Sequence, residues 1–307
     1  MAKQKSNNHT SVRSLLKPTL WPSWAFMGLA WLIGHLPWKA QQMGGRLFGS
    51  LLYFVAPRRL NICLTNLKIC YPTMTETERT KLAKKHFQSI GIGFFEAFSS
   101  WFNTPDQLNV EVEFDSQQVI DDALALGRGC IYIGGHFSSI DICGNLMSRY
   151  NNVHPIYKKQ KNPVFNYIME RQRERTFEKH IERSNMREVA RTLKDNKTLW
   201  YAVDQDYGRD KSVFAPFFSR ECSTIAHIGR IAAITNAPVL LYDYGRTEKG
   251  YKMSLTRLEN FPTGNDVKNA EIMNEKLESL INTKKDQYYW THRRFKTQKD
   301  PSAHSPY

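Results

Sequence analysis

From residue 109 onward, short apolar runs alternate with amphipathic stretches. Val110, Val112 and Phe114 recur at period two, which predicts a half-buried strand over 109–114. Residues 117–126 read as a helix. Cys130 to Ile133 is a short run rich in β-branched and aromatic residues, the mark of a buried strand. Gly134 and Gly135 let the chain turn sharply after it, and residues 140–147 continue at helical spacing. The pattern then predicts strands over 153–157 and 198–203, and helices over 164–178 and 186–195. A helix over 224–236, strands over 239–244 and 251–258, and a helix over 267–285 complete it. This alternation predicts an α/β fold: a mixed, largely parallel central sheet flanked by helices.

The first third differs. Residues 1–17 are polar. Residues 20–36 are apolar and aromatic, without Asp, Glu, Lys or Arg, and slightly shorter than the ~20 residues of a spanning helix. Trp21, Trp24 and Trp38 suit a membrane interface, and no small-residue cleavage site marks a signal peptide. A short span, a helix lying in the interface and a buried core helix all fit. A second apolar segment, 47–55, is closed by Pro57-Arg58-Arg59. With Lys39 and Arg46, these cations favour an anionic leaflet. The expected division is a polar N-terminus (1–17), a membrane-associated helical segment (18–57) and a catalytic domain (58–307). Thr75-Glu-Thr-Glu78 is a capping box that opens a long helix. Ile90, Phe94, Phe98 and Trp101 form its apolar stripe, with Glu96 inside the aromatic run.

Charge and cysteines narrow the classes. Among 307 residues, 43 are Lys or Arg and 29 Asp or Glu, a formal net charge of +14. That balance attracts polyanions such as membrane phosphates or acidic proteins. Nucleic acid is suggested by charge alone, without a fingerprint motif. The five cysteines are odd in number and form no Cys-x2-Cys pair. They are expected to be reduced and mostly buried, in a reducing compartment, without zinc.

The chemistry gathers after the 130–133 strand. His136 stands just past the Gly-Gly turn, and Asp141 follows five positions later. Inside one helix these would lie ~140° apart. They can meet if His136 is on the turn and Asp141 in the first helical turn, where the helix dipole favours an acid. A carboxylate on one imidazole nitrogen leaves the other free to take a proton from a hydroxyl. The same stretch, Ser138-Ser-Ile-Asp141, also matches a capping box, so Asp141 has a structural reading too. Asp204, like His136, ends a strand, and ligands of such sheets bind beyond the strands' carboxyl ends.

The Gly-His-x4-Asp stretch resembles the His-x4-Asp/Glu signature of glycerolipid acyltransferases. It resembles more closely the late acyltransferases of lipid A biosynthesis. Leu199-Trp-Tyr-Ala-Val-Asp-Gln-Asp-Tyr-Gly208, Val213-Phe-Ala-Pro-Phe-Phe218 and Tyr289-Trp-Thr-His-Arg-Arg-Phe-Lys296 support this, in order, from about Arg59 to Lys296. The resemblance implies an acyl carrier protein thioester as donor and a hydroxyl of a phosphorylated lipid A precursor as acceptor. It further implies work at an anionic membrane, the bacterial inner membrane, with the catalytic domain on the cytoplasmic face. His136 would be the general base and Asp141 its orienting acid, with no metal or redox cofactor. Substrate-binding roles are implied for Lys158, Lys161, Arg183, Asp204, Asp206 and Glu96. Lys158 stands where the family commonly has Arg and lacks the bidentate fork. Phe214, Phe217 and Phe218 read either as an acyl groove or as plain core. A glycerolipid or glycolipid acyltransferase, and a non-catalytic membrane lipid-binding protein, are the alternatives.

Overall fold

Helices come first in the chain and the sheet second. The computed structural model describes residues 12–157, 159–177, 181–182 and 185–307. The leading helices are α1 (Val12–Leu15), α2 (Trp21–Gly34), α3 (Trp38–Val55), α4 (Pro57–Cys70) and α5 (Glu76–Phe102). The apolar segment ends with α3 at Val55, as expected, and Pro57 also opens α4. Its fixed φ suits a first helical turn, and its missing N–H costs nothing there. The capping box of α5 forms as expected, with the Thr75 hydroxyl accepting from the Glu78 N–H.

The remainder alternates. In order it runs β1 (Glu111–Phe114), α6 (Gln117–Ala125), β2 (Cys130–Gly134), α7 (Ile140–Met147), β3 (Val153–Tyr157), α8 (Pro163–Thr176), β4 (Ile181–Glu182), α9 (Met186–Lys194) and β5 (Thr198–Ala202). Then come β6 (Ser212–Phe217), β7 (Arg220–Ile225), α10 (His227–Thr235), β8 (Val239–Arg246), β9 (Gly250–Arg257) and α11 (Asp266–Thr283). The described strands of the main sheet lie in the order β1-β9-β8-β2-β5-β3-β4. Every pairing in it is parallel except β8 with β9. The expected mixed, largely parallel sheet is the one observed.

β6 and β7 form a separate antiparallel hairpin. The residues at 224–225, expected to start a helix, are instead the end of β7, and α10 begins at His227.

Register is what positions the site. β2 and β5 are neighbours, with Gly134 opposite Ala202, and the Val203 N–H donates to the Gly134 carbonyl at 3.0 Å. Two residues beyond that pair stand His136 and Asp204. On one face of the sheet, Tyr132, Trp200 and Pro155 sit side by side on β2, β5 and β3. The Tyr132, Ile131 and Ile133 side chains are buried.

The first helices pack on α5. Gly45 and Gly49 of α3 meet the α5 backbone at Gly91, Ile92 and Phe87 so closely that a Cβ there would overlap it. Among the described residues, no helix is long and apolar enough to cross a membrane.

Candidate active site

His136 sits where β2 ends and the chain turns towards α7. A Cβ on Gly135 before it would lie 3.2 Å from Leu277 Cδ2 and 3.4 Å from Asp204 Oδ2, so the glycine leaves room for the acid. Tyr244 donates its hydroxyl to the Gly135 carbonyl at 2.5 Å. The Tyr289 N–H donates to the His136 carbonyl at 2.9 Å, and Ser138 donates its N–H to the Gln287 carbonyl at 2.8 Å. The C-terminal stretch thus fixes the loop that carries the histidine.

The carboxylate that grips the ring is Asp204. Its Oδ1 lies 2.6 Å from His136 Nδ1, and its Oδ2 accepts the His136 backbone N–H at 2.7 Å. The imidazole side chain is 27% exposed while Asp204 is only 3% exposed. One ring edge is therefore inside the protein and the other faces out. A carboxylate on Nδ1 keeps the proton there, which leaves Nε2 as the acceptor. The Gln205 amide lies 3.2 Å from Nε2. Burial disfavours the imidazolium, but the Asp204 charge and hydrogen bond outweigh it, so His136 titrates above its ordinary value, with a smaller push from Asp141. Asp204 is held below the usual carboxylate range: burial opposes ionisation, and the imidazole charge with the hydrogen bonds from the ring and the backbone N–H of His136 overrides burial.

Asp141, to which the sequence assigned the orienting role, occupies a different place. It lies in the first turn of α7, with its side chain opening on a cavity of about 250 Å³. Asp141 keeps an exposed face, but the protein packed around it desolvates the carboxylate and raises its pKa, against the pull of Arg173, the Trp101 indole and His136. The Ser139 N-cap makes no side-chain capping bond, and the Ser138 hydroxyl is used by Ser89 at 2.8 Å, so the capping-box reading of Asp141 is not realised.

The cavity lies between the sheet face and α7 and α8. Tyr132, Tyr242 and Tyr244 form its floor, Ile140, Gly144 and Met147 one wall, and Met169 and Phe177 the other side. It is mainly apolar, and Ser100, Asp141, Gln172 and Arg173 are among its polar members. Arg173 stacks over the Tyr157 ring at 4.4 Å, and its Nη1 is buried without a hydrogen-bond partner. A second cavity of about 190 Å³ holds His136, Gln205 and Tyr207, and shares Ile156, Tyr157 and Trp200 with the first. The two cavities thus adjoin, with the imidazole on the smaller one.

The remaining expected site residues divide clearly. Glu96 is sealed in the core: it takes Arg246 Nε and Nη2 at 2.6 Å each, Tyr251 at 2.6 Å and Gln42 at 3.2 Å. With those lone pairs occupied it is a structural acid rather than a substrate ligand. Asp206 accepts the Thr297 N–H at 2.7 Å and the Thr297 hydroxyl at 2.9 Å, and closes its own turn through the Gly208 N–H at 2.9 Å. It ties down the C-terminal stretch. Lys161 is exposed. Lys158 and Arg183 lie outside the described residues. Phe217 is core, and Phe218 packs on Tyr71 and Trp290. Neither they nor Phe214 line the larger cavity. All five cysteines are free and buried, as expected. Among the described residues no three His, Cys, Asp or Glu side chains are grouped as a metal site.

Comparison with known proteins decides the family. The family model for bacterial lipid A biosynthesis acyltransferase matches residues 9–297. The chain belongs to that family. It is 30% identical over 293 residues to the lipid A biosynthesis palmitoleoyltransferase of Escherichia coli (strain K12), covering 93% of this chain and 94% of the relative. To the lauroyltransferase of the same organism it is 30% identical over 288 residues, covering 92% and 94%. To its myristoyltransferase it is 25% identical over 318 residues, covering 99% and 96%. As a family member the chain is an acyltransferase.

For this acyltransferase, sequence spacing missed Gln205, Arg173 and Tyr157. Gln205 lies between two acids that were singled out, and Arg173 was only one cation in a basic run. Nothing in their spacing distinguishes them, because the sheet face and α8 bring them to the site.

Proposed function

We propose that the chain moves a fatty acyl group from an acyl carrier protein thioester to a hydroxyl of a lipid A precursor, on the cytoplasmic face of the bacterial inner membrane. The observation that carries this is the half-open His136–Asp204 pair beside a largely apolar cavity. The acceptor hydroxyl takes the position of the Gln205 amide at Nε2. Nε2 removes its proton while the oxygen attacks the thioester carbonyl carbon. Asp204 holds the ring and stabilises the imidazolium that forms. The tetrahedral intermediate collapses, the C–S bond breaks, and the thiolate recovers the proton from Nε2. Ester and thiol are the products, and the histidine is neutral again. The step balances with no metal or redox group. Asp141 and Arg173, at the cavity wall, shape the field around the reacting carbonyl. The net positive charge suits an acidic carrier protein and lipid phosphates. Lys161 faces solvent at the start of α8, where a phosphate of the acceptor would be met.

The test is transfer by the purified chain from an acyl carrier protein thioester to a lipid A precursor. His136→Ala lowers kcat/KM by about 10²–10⁴-fold. Mass spectrometry of lipid A from cells with and without the gene shows the loss of one acyl mass. Full activity in His136→Ala, or lipid A unchanged when the gene is removed, would defeat the proposal.

A further inference from the structure

Residues 289–296, one of the stretches that carry the family resemblance, supply no group to the proton transfer described above. They do reach both of its partners. Between Gln287 and Thr297 the chain first grips the loop of the base. The Ser138 N–H donates to the Gln287 carbonyl, and the Tyr289 N–H to the His136 carbonyl. Phe137 and Tyr288 pair as a short antiparallel bridge between them. The chain then crosses to the segment after β5. There His292 Nε2 accepts the Asp206 N–H at 3.2 Å, and Thr297 donates to the Asp206 carboxylate. One stretch thus holds the loop of the base and the loop of its acid.

The Asp206 N–H belongs to the peptide unit that joins Gln205 to Asp206. Fixing that unit fixes the backbone of Gln205, whose amide lies 3.2 Å from His136 Nε2, and it limits the play of Asp204 next to it. Thr297 holds Asp206 only through a rotatable side chain. His292 holds the main chain itself. The backbone that carries the His292 ring is anchored in turn. Asn66 donates to the Trp290 and His292 carbonyls at 2.7 Å each, and the Arg294 N–H donates to the His292 carbonyl at 2.9 Å.

A ring nitrogen accepts only while it carries no proton. His292 therefore keeps its proton on Nδ1 and has to be neutral. As an imidazolium it would turn an N–H on the Asp206 N–H and give up the bond. The charged groups around it are Asp204 and Asp206 from the segment after β5, His136 from the loop after β2, and Arg294 from its own stretch. From α4, Arg59 donates to the neighbouring Thr291 carbonyl at 3.2 Å. Burial pushes the His292 pKa below its ordinary value; the two acids pull it up, and Arg294 and His136 push it down again. Since the His136 pKa is raised, His292 stays an acceptor at pH values where the base is already charged.

We propose that His292 is a positioning residue of the reaction proposed above, a reading on which this inference rests: its neutral Nε2 holds the Gln205–Asp206 peptide unit, and with it Asp204 and Gln205, in register with the His136 loop. It acts through the acid and the amide rather than on the reacting atoms. Its contribution is geometric, and a displacement of about 1 Å at a reacting centre can cost about 10²-fold in rate.

Two variants of the full chain test it. His292→Phe keeps the bulk of the ring and loses the acceptor. His292→Gln places an amide oxygen at the reach of Nε2. Nuclear magnetic resonance of ring-labelled histidine reads the His136 titration directly. In His292→Phe the His136 pKa falls towards its ordinary value, because the hold of Asp204 that raises it is loosened; in His292→Gln it stays where the parent has it. In the transfer assay His292→Phe lowers kcat by about 10²-fold with KM little changed, and His292→Gln recovers about tenfold of that loss. The acid limb separates positioning from packing. In the parent, log kcat/KM falls with a slope of about one as His136 is protonated, then of about two as His292 follows; in His292→Gln it stays at about one. That comparison stands even if His292→Phe fails to fold. An unchanged His136 titration in His292→Phe, a loss confined to KM, or the steeper slope persisting in His292→Gln would overturn the proposal. The titration reads no acyl transfer, so a parent that transfers nothing counts against the catalytic reading alone, and the titration still decides the role of His292.

Discussion

Two buried ion pairs lie within a few residues of the same loop, and they are built differently. In the Glu96–Arg246 pair both side chains are almost completely enclosed, at 1% and 8% exposure. Glu96 accepts from three partners, and the guanidinium extends to the Ser89 hydroxyl at 3.1 Å. Burial opposes the Arg246 charge, and Glu96 more than restores it, holding the guanidinium above its usual range. In the His136–Asp204 pair the acid is equally enclosed, but the imidazole keeps one open edge. A closed pair can only hold helices and strands together. A pair whose second nitrogen lies on an exposed edge, met by the Gln205 amide, can pass a proton. The difference is one of remaining valence, not of charge or burial.

Asp204→Asn should have the largest effect. The amide cannot stabilise an imidazolium as the carboxylate does, so kcat/KM falls by about 10²–10⁴-fold while the fold persists by circular dichroism. Asp141→Asn costs less than Asp204→Asn in the same assay, because Asp141 acts on the ring only through space. If the order were reversed, the pairing read from the structure would be the wrong one for catalysis. Glu96→Ala comes next and acts on stability: an unpaired buried guanidinium costs about 3–5 kcal/mol. Chemical denaturation measures the loss, and Glu96→Ala/Arg246→Met should recover part of it. A variant as stable as the parent would show that the closed pair holds little.

The smallest effect is a shift in pH dependence. The base works when neutral, so activity rises with pH through the His136 pKa, which lies above ~6.5. Asp204→Asn moves that limb to lower pH. Linkage runs in two directions here. The raised histidine lends stability that is complete below ~6.5 and is lost as pH climbs through its folded value. The depressed Asp204 lends stability present above ~3.9 and lost as pH falls through its folded value. Profiles of kcat/KM for parent and variant that superimpose would argue against coupling of the two groups.

Much of this was legible along the chain. The apolar runs gave the principal strands of the sheet, and the rule about strand ends brought His136 and Asp204 to one place. What spacing did not reveal was which acid takes the ring, since Asp204 is 68 residues away and only the Gly134–Ala202 register makes them neighbours. Asp141 was attractive because it is near in sequence, yet α7 turns it towards the cavity. The β6–β7 hairpin was missed because its turn is made by Phe218 and Ser219 at φ 49° and 64°. Such turns ordinarily carry Asn-Gly, and an apolar Phe there reads as a continuing run. The partners of Glu96 were hidden for a related reason: they come from α3, β8 and β9, distant along the chain.

The two oxygens of Asp204 serve different masters, one the ring and one the main chain of the same residue. Evolution therefore cannot retune the base without also remaking the loop that carries it. A glutamate would keep the charge and overreach one of the two bonds, and an asparagine would keep the reach and lose the charge. Improvement of this enzyme is more readily sought in the walls of its cavity, where a side chain answers to a single demand.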